Sequence, residues 1–191
     1  VLIYLHGFNS SPGSHKAQVL ARDMRERGLG AHYACPALPH QPEQAIGAIE
    51  AELARHAGEP ICFVGSSLGG FYATWFAEKL GARAVLINPA VHPQRDLRAF
   101  LGAQQNLYTG ERYALTESHL EQWARLFVEA ITPSRYLLLV ETGDELLDYR
   151  EAVAKYAGAK QVVVQGGDHT LQSFPEHIPM ILQFAGLVPA R

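Results

Sequence analysis

The chain has 191 residues, of which 48% are hydrophobic and 18% charged, with a net charge of −3. That suits one globular domain able to bury about 70% of its unfolded surface. It offers no basic footprint for nucleic acid, no polybasic cluster for a membrane surface and no apolar run near the ~20 residues that span a bilayer.

Val1-Leu2-Ile3-Tyr4-Leu5 is a continuous apolar run, as expected of a buried parallel strand. It runs into His6-Gly7-Phe8-Asn9-Ser10-Ser11-Pro12-Gly13, a loop by composition. A helix is predicted over about 14–27, with Val19, Leu20 and Met24 inward, then a short strand near 31–34 and a proline-rich turn from Cys35 to Pro42. The next helix is predicted over about 43–57, with Ile46, Ile49 and Leu53 on one face. A strand at 60–64 leads into Gly65-Ser66-Ser67-Leu68-Gly69-Gly70 and a helix at 68–80. Leu68, Phe71, Tyr72, Trp75, Phe76 and Leu80 recur there at three- and four-residue steps.

Strand, Gly-x-Ser-x-Gly and helix together make a nucleophile elbow, which puts Ser67 at the tip of a sharp turn. Glycines at 65 and 69 remove side chains that would collide with the adjoining strand and helix. The turn also leaves the first amides of the helix unpaired, so the Leu68 amide can face an oxyanion.

Further strands are predicted at 83–87, stopped by Asn88-Pro89, at 136–140 and at 161–164, with helices at about 147–157 and 176–185. Residues 90–134 break the alternation. One helix is predicted there, with Ser118 and Glu121 spaced as a capping box and Leu120, Trp123, Phe127 and Ile131 on one face. An insertion of this length over strand ends, carrying Phe100, Tyr108, Tyr113 and Trp123, reads as a lid shaping a pocket. The whole is an α/β chain, a mostly parallel sheet flanked by helices, in a single domain over 1–191 with a small helical lid inserted at 90–134.

A serine hydroxyl needs a base, and the base an orienting acid. In sheets of this type the partners follow in the order Ser, Asp or Glu, His, each after a later strand. Asp144 follows the strand at 136–140 and His169 follows the strand at 161–164, so the three loops should converge at the carboxyl ends of the strands. Glu141, Glu145, Asp148 and Asp168 are rival carboxylates to Asp144. A second oxyanion donor is expected from the amide after Gly7, that of Phe8, with His6 bracing the loop. The nine histidines include no His-x-His or His-Glu-x-x-His pair, so no metal ligands are expected, and no phosphate loop or Gly-x-Gly-x-x-Gly points to a nucleotide cofactor. Cys35 and Cys62 do not make a disulfide framework, and reduced thiols in a cytoplasmic setting are expected.

Tyr4 to Pro12, Val64 to Gly70, Asn88-Pro89-Ala90-Val91, Tyr108-Thr109-Gly110, Thr142-Gly143-Asp144-Glu145 and Asp148-Tyr149-Arg150 together resemble the YqiA-type bacterial esterases, small α/β-hydrolases, over essentially the whole chain. The resemblance implies a cofactor-free esterase with Ser67, Asp144 and His169 as its triad, acting on small acyl esters or thioesters. Family members commonly read Gly-Gly-Asn/Asp-His, and Asp168 stands before the histidine here. Two other readings of the same residues stay open: an acyltransferase or peptidase using this triad, and a hydrolase-fold protein that binds a ligand without turning it over.

Overall fold

A computed structural model describes residues 1–189. Its elements in chain order are β1 (Leu2–Leu5), α1 (His15–Glu26), β2 (Tyr33–Ala34), α2 (Pro42–Arg55), β3 (Cys62–Ser66), α3 (Leu68–Leu80), β4 (Arg83–Ile87), α4 (Pro93–Asp96), β5 (Gly102–Gln105), β6 (Arg112–Leu115), α5 (Glu117–Arg125), β7 (Tyr136–Glu141), α6 (Tyr149–Lys155), β8 (Lys160–Val164) and α7 (Phe174–Phe184). Six strands form one sheet in the order β2-β1-β3-β4-β7-β8, every neighbouring pair parallel.

The strand sequences explain their places. β1, β3 and β7 are buried along their whole length, as central parallel strands covered on both faces must be. The edges are a two-residue β2 and a partly exposed β8 that opens with Lys160 and Gln161. Alternate residues of each strand feed two cores. Leu2, Tyr4, Val64, Ile87 and Leu139 face Leu20 and Met24 of α1 and Phe174, Ile178 and Leu182 of α7. Ile3, Leu5, Phe63, Leu86 and Leu138 face Ile49 of α2, Phe76 of α3 and Tyr156 beside α6.

The chain runs from β1 outward to β2 and then back across to β3, so the strand order reverses between β1 and β3. Such a reversal opens a crevice at the carboxyl ends of the strands. The elbow sits at its rim. A Cβ on Gly69 would fall 1.9 Å from the Leu5 carbonyl oxygen and 2.8 Å from that of His6, and one on Gly65 would fall 2.3 Å from the Gly69 carbonyl oxygen. These neighbours are backbone and cannot rotate away. Gly69→Ala is therefore expected to cost more than about 4 kcal/mol, read as loss of the cooperative thermal transition or its shift to much lower temperature.

Residues 90–134 hold more than the one expected helix. They hold an antiparallel hairpin, β5 with β6, between α4 and α5. Its strands are short and largely exposed, and Gly102-Ala103-Gln104-Gln105 carries no apolar alternation to announce them. The turn is made by Asn106, whose Oδ1 accepts from the amides of Tyr108 and Thr109. The expected capping box is also displaced. Thr116 caps α5 and donates its amide to Nδ1 of His119, 3.2 Å away, because the helix starts directly at the end of β6. α5 stops at Arg125, so Phe127 and Ile131 reach the core from the segment beyond it. Trp123 is fully buried and donates its indole N–H to the Tyr72 hydroxyl of α3 at 2.8 Å, tying the insertion to the elbow helix. Both cysteines are free thiols, and among the described residues no helix is long and apolar enough to cross a membrane.

Candidate active site

Ser67 occupies the junction of β3 and α3 with φ 55° and ψ −121°, a conformation a residue with a side chain rarely adopts. Surrounding bonds hold it there. Its amide donates to the Ile87 carbonyl at 3.0 Å, and its own carbonyl accepts from the amides of Gly70 and Ala90. Four non-glycine residues among those described have positive φ: Asn9, Ser67, Asn88 and Leu171. They stand in the loops after β1, β3, β4 and β8, all at the carboxyl edge of the sheet. Backbone strain gathered in one place is a mark of functional sites.

The loop after β1 runs against the serine: a Cβ on Gly7 would lie 3.3 Å from the Ser67 Cβ. His6, almost fully buried, accepts the Leu38 amide on Nε2 at 3.0 Å and turns Nδ1 toward the Gly7 carbonyl at 3.1 Å. Burial lowers its pKa, so it braces the loop as a neutral imidazole. Phe8 and Leu68 both line the crevice beside Ser67. Among the described residues neither amide has an acceptor in the protein. That of Leu68 opens α3, where the helix dipole is positive.

Asp144 and His169 meet at the far side of the crest. His169 Nδ1 lies 2.8 Å from Asp144 Oδ2 and 3.0 Å from Oδ1, and the Asp144 side chain is 1% exposed. Asp144 Oδ1 also accepts the amides of Leu146 and Leu147, which fixes the carboxylate plane. The rival carboxylates are engaged elsewhere. Asp148 caps α6 through the Arg150 amide, Glu145 accepts the His169 backbone amide, and Asp168 is bound to Thr170 and Gln172.

Glu141, at the end of β7, accepts the amides of Asp168, Gln172 and Ser173 and the Ser173 hydroxyl while 1% exposed. Burial alone would raise its pKa, but these donors outweigh it and hold the pKa below the ordinary value. A carboxyl lowered on folding adds stability above its unfolded pKa of ~4.3, and that increment is lost as pH falls through the folded value. Asn88 completes the latch. Its Nδ2 donates to the carbonyls of Asp168 and His169, each at 3.1 Å, and its Oδ1 accepts the Glu141 amide at 3.0 Å. Glu141→Gln orphans at least one buried donor and is expected to cost about 1–3 kcal/mol at neutral pH. That difference should shrink progressively as pH falls below about 4, as read by denaturant titration across an acid pH series.

Sequence reasoning put Ser67, Asp144 and His169 after predicted strands, and the structure sets them beyond β3, β7 and β8, with Phe8 beyond β1 and Leu68 opening α3. It treated Asn88 as a strand stop and Glu141 as a rival acid; both join loops distant in sequence, and no local pattern reports that.

The family model described as "Uncharacterised protein family (UPF0227)" matches residues 1–186. A UPF0227 protein of Vibrio cholerae serotype O1 is 32% identical over 102 residues, 49% of this chain and 53% of that protein. The chain spans about half the length of the curated relatives it matches. Among solved structures it is similar to mouse alpha/beta hydrolase domain-containing protein 10, with TM-score 0.73, 15% identity and coverage of 98% of this chain and 90% of that one. It is also similar to the esterase domain of a Rhodothermus marinus protein, with TM-score 0.68, 18% identity and coverage of 96% and 85%. At these identities the likeness carries the fold, that of the α/β-hydrolases.

Proposed function

We propose that this chain, which belongs to the UPF0227 family, is a serine hydrolase that cleaves carboxylic esters, acyl thioesters included, through an acyl-enzyme on Ser67. The observation that carries the reading is the strained serine at the switch point, set on the same sheet edge as a histidine whose Nδ1 is held by a buried carboxylate.

With Asp144 accepting the hydrogen bond of His169 Nδ1–H, Nε2 keeps its lone pair and can accept a proton. The Ser67 hydroxyl gives its proton to Nε2 as Oγ attacks the acyl carbonyl. The oxyanion that forms accepts from the amides of Phe8 and Leu68, donors already oriented before substrate arrives. Collapse expels the alcohol or thiol, which takes the proton from Nε2. Water then loses a proton to Nε2 and attacks the acyl group, and Ser67 is regenerated. Ser67 caps no helix amide with its hydroxyl, so that group is free to turn toward His169 as substrate binds. All groups in this scheme come from the chain, and it uses no cofactor.

Fluorophosphonate labelling with intact-mass read-out tests the reading. One adduct, mapped to the peptide bearing Ser67, together with hydrolysis of p-nitrophenyl butyrate, is the expected result. A folded protein that neither labels nor hydrolyses a simple ester would overturn it.

A further inference from the structure

A small cleft opens beside the Ser67 elbow, with Gly7, Phe8 and Leu68 in its lining. Its walls come from the loops after β1 and β2, the start of α3 and the β5–β6 hairpin, with nothing from the loops that carry Asp144 and His169. In the sheet β1 and β2 lie on the opposite side of β3 from β7 and β8. The base has to reach the leaving-group oxygen, so the leaving group sits on the His169 side. The acyl group then points the other way, into this cleft.

Two histidines define the chemistry of its wall. His119 Nδ1 accepts the Thr116 amide at 3.2 Å and faces the Thr116 hydroxyl at 2.9 Å; as acceptor of both, His119 carries its proton on Nε2. That nitrogen lies 3.0 Å from His40 Nδ1 and donates to it, which leaves the proton of His40 on Nε2. Burial, with His40 alongside, lowers the His119 pKa. The His40 ring is held flat against Tyr113, with centroids 4.0 Å apart and planes 12° apart. Tyr113 in turn donates its hydroxyl to Asn9 Oδ1 at 2.6 Å.

His40 Nε2 thus carries a proton in a fixed direction and has no hydrogen-bond acceptor among the described residues. The nearest acidic oxygen, Glu111 Oε1, is 3.9 Å away, and both side chains line the cleft. The amide groups of Asn9 and Asn106 are already engaged within the protein. The wall therefore presents one donor and one anionic acceptor at nearly the same point. An alkyl chain there would desolvate both without replacing their bonds to water. A carboxylate would meet Glu111, and an ammonium would oppose the His40 N–H. A hydroxyl satisfies both, accepting from one and donating to the other.

We infer that the acyl part of the substrate is short and bears a hydroxyl group, held between His40 Nε2 and the Glu111 carboxylate. This rests on the serine-hydrolase reading above and deepens it to a substrate class, the hydroxyacyl esters.

The test compares kcat/KM for p-nitrophenyl 2-hydroxybutyrate, 3-hydroxybutyrate, butyrate and octanoate, which share a leaving group. At least one hydroxybutyrate should exceed butyrate by about tenfold or more, because a site built to bond a hydroxyl discriminates against the analogue lacking it; octanoate should be poorest. In His40→Leu and separately in Glu111→Ala that ratio should fall toward one. Glu111 has its side chain half exposed, so its replacement keeps the test alive should His40→Leu fold poorly. Butyrate turned over as well as both hydroxy esters, or a ratio that survives both substitutions, overturns the inference while leaving the hydrolase reading in place. Absence of turnover on every ester together with absence of a fluorophosphonate adduct overturns the hydrolase reading, and the inference with it.

Discussion

Ser67→Ala should lower kcat on p-nitrophenyl butyrate by about 10⁴–10⁶-fold and abolish fluorophosphonate labelling, while melting temperature and KM stay close to those of the parent protein. The hydroxyl is the one atom removed. Alanine has to adopt the same positive φ, and the backbone bonds from Ile87, Gly70 and Ala90 that impose it are untouched. What remains is the crevice and the amides of Phe8 and Leu68, which can polarise a carbonyl for attack by water and account for the small residual rate. A variant that keeps a tenth of the activity would mean that Ser67 is not the nucleophile.

The second large effect is expected from Asp144→Asn, a loss of about 10⁴-fold in kcat with the fold retained. Asp144 Oδ1 is held by the amides of Leu146 and Leu147, both at 2.9 Å. An asparagine at this position keeps its carbonyl oxygen on those two donors and so turns its NH₂ to the place of Oδ2, 2.8 Å from His169 Nδ1. An NH₂ there needs an acceptor. Nδ1 has to give up its proton to become one, and the proton moves to Nε2, where it blocks uptake of a proton from Ser67. Asp148→Asn is the matched control. Asparagine caps helices as well as aspartate does, so the α6 cap survives and kcat should change by less than about threefold, a difference of well under 1 kcal/mol. Steady-state kinetics on both variants decides: a dead Asp148→Asn and an active Asp144→Asn would transfer the acid's role.

How much of this was legible in the sequence divides along a physical line. Buried parallel strands such as Val1 to Leu5 and Tyr136 to Val140 announce themselves, because burial on both faces demands an unbroken apolar run. The elbow was legible because its glycines answer to close backbone approach, a requirement only glycine meets. The positions of Asp144 and His169 followed from strand ends. The hairpin β5–β6 was not legible: it is held by Asn9, Ser10 and its own turn rather than by an apolar face, and bonds to a loop nearly a hundred residues away leave no periodicity. The capping box was misread for a related reason. Thr116 and Ser118 are both competent caps, and the end of β6, which the sequence does not mark, selects Thr116. The bond between His40 and His119 joins two segments that give no hint of each other.

The Asn88–Glu141 latch also bears on when the molecule becomes competent during folding. The loop that presents His169 is held by bonds of its own, from Asp168 to Thr170 and Gln172, and also by side chains from the ends of β4 and β7, reaching across as many as 81 positions of sequence. Contacts of such span form late, after the cost of closing the intervening chain has been met. The histidine is thus oriented only once β4, β7 and β8 are all in register. A chain arrested with β1, β3 and β4 paired but β7 and β8 not yet in register would carry the serine elbow without an aligned base. On the proposed mechanism, reactivity is therefore coupled to completion of the sheet.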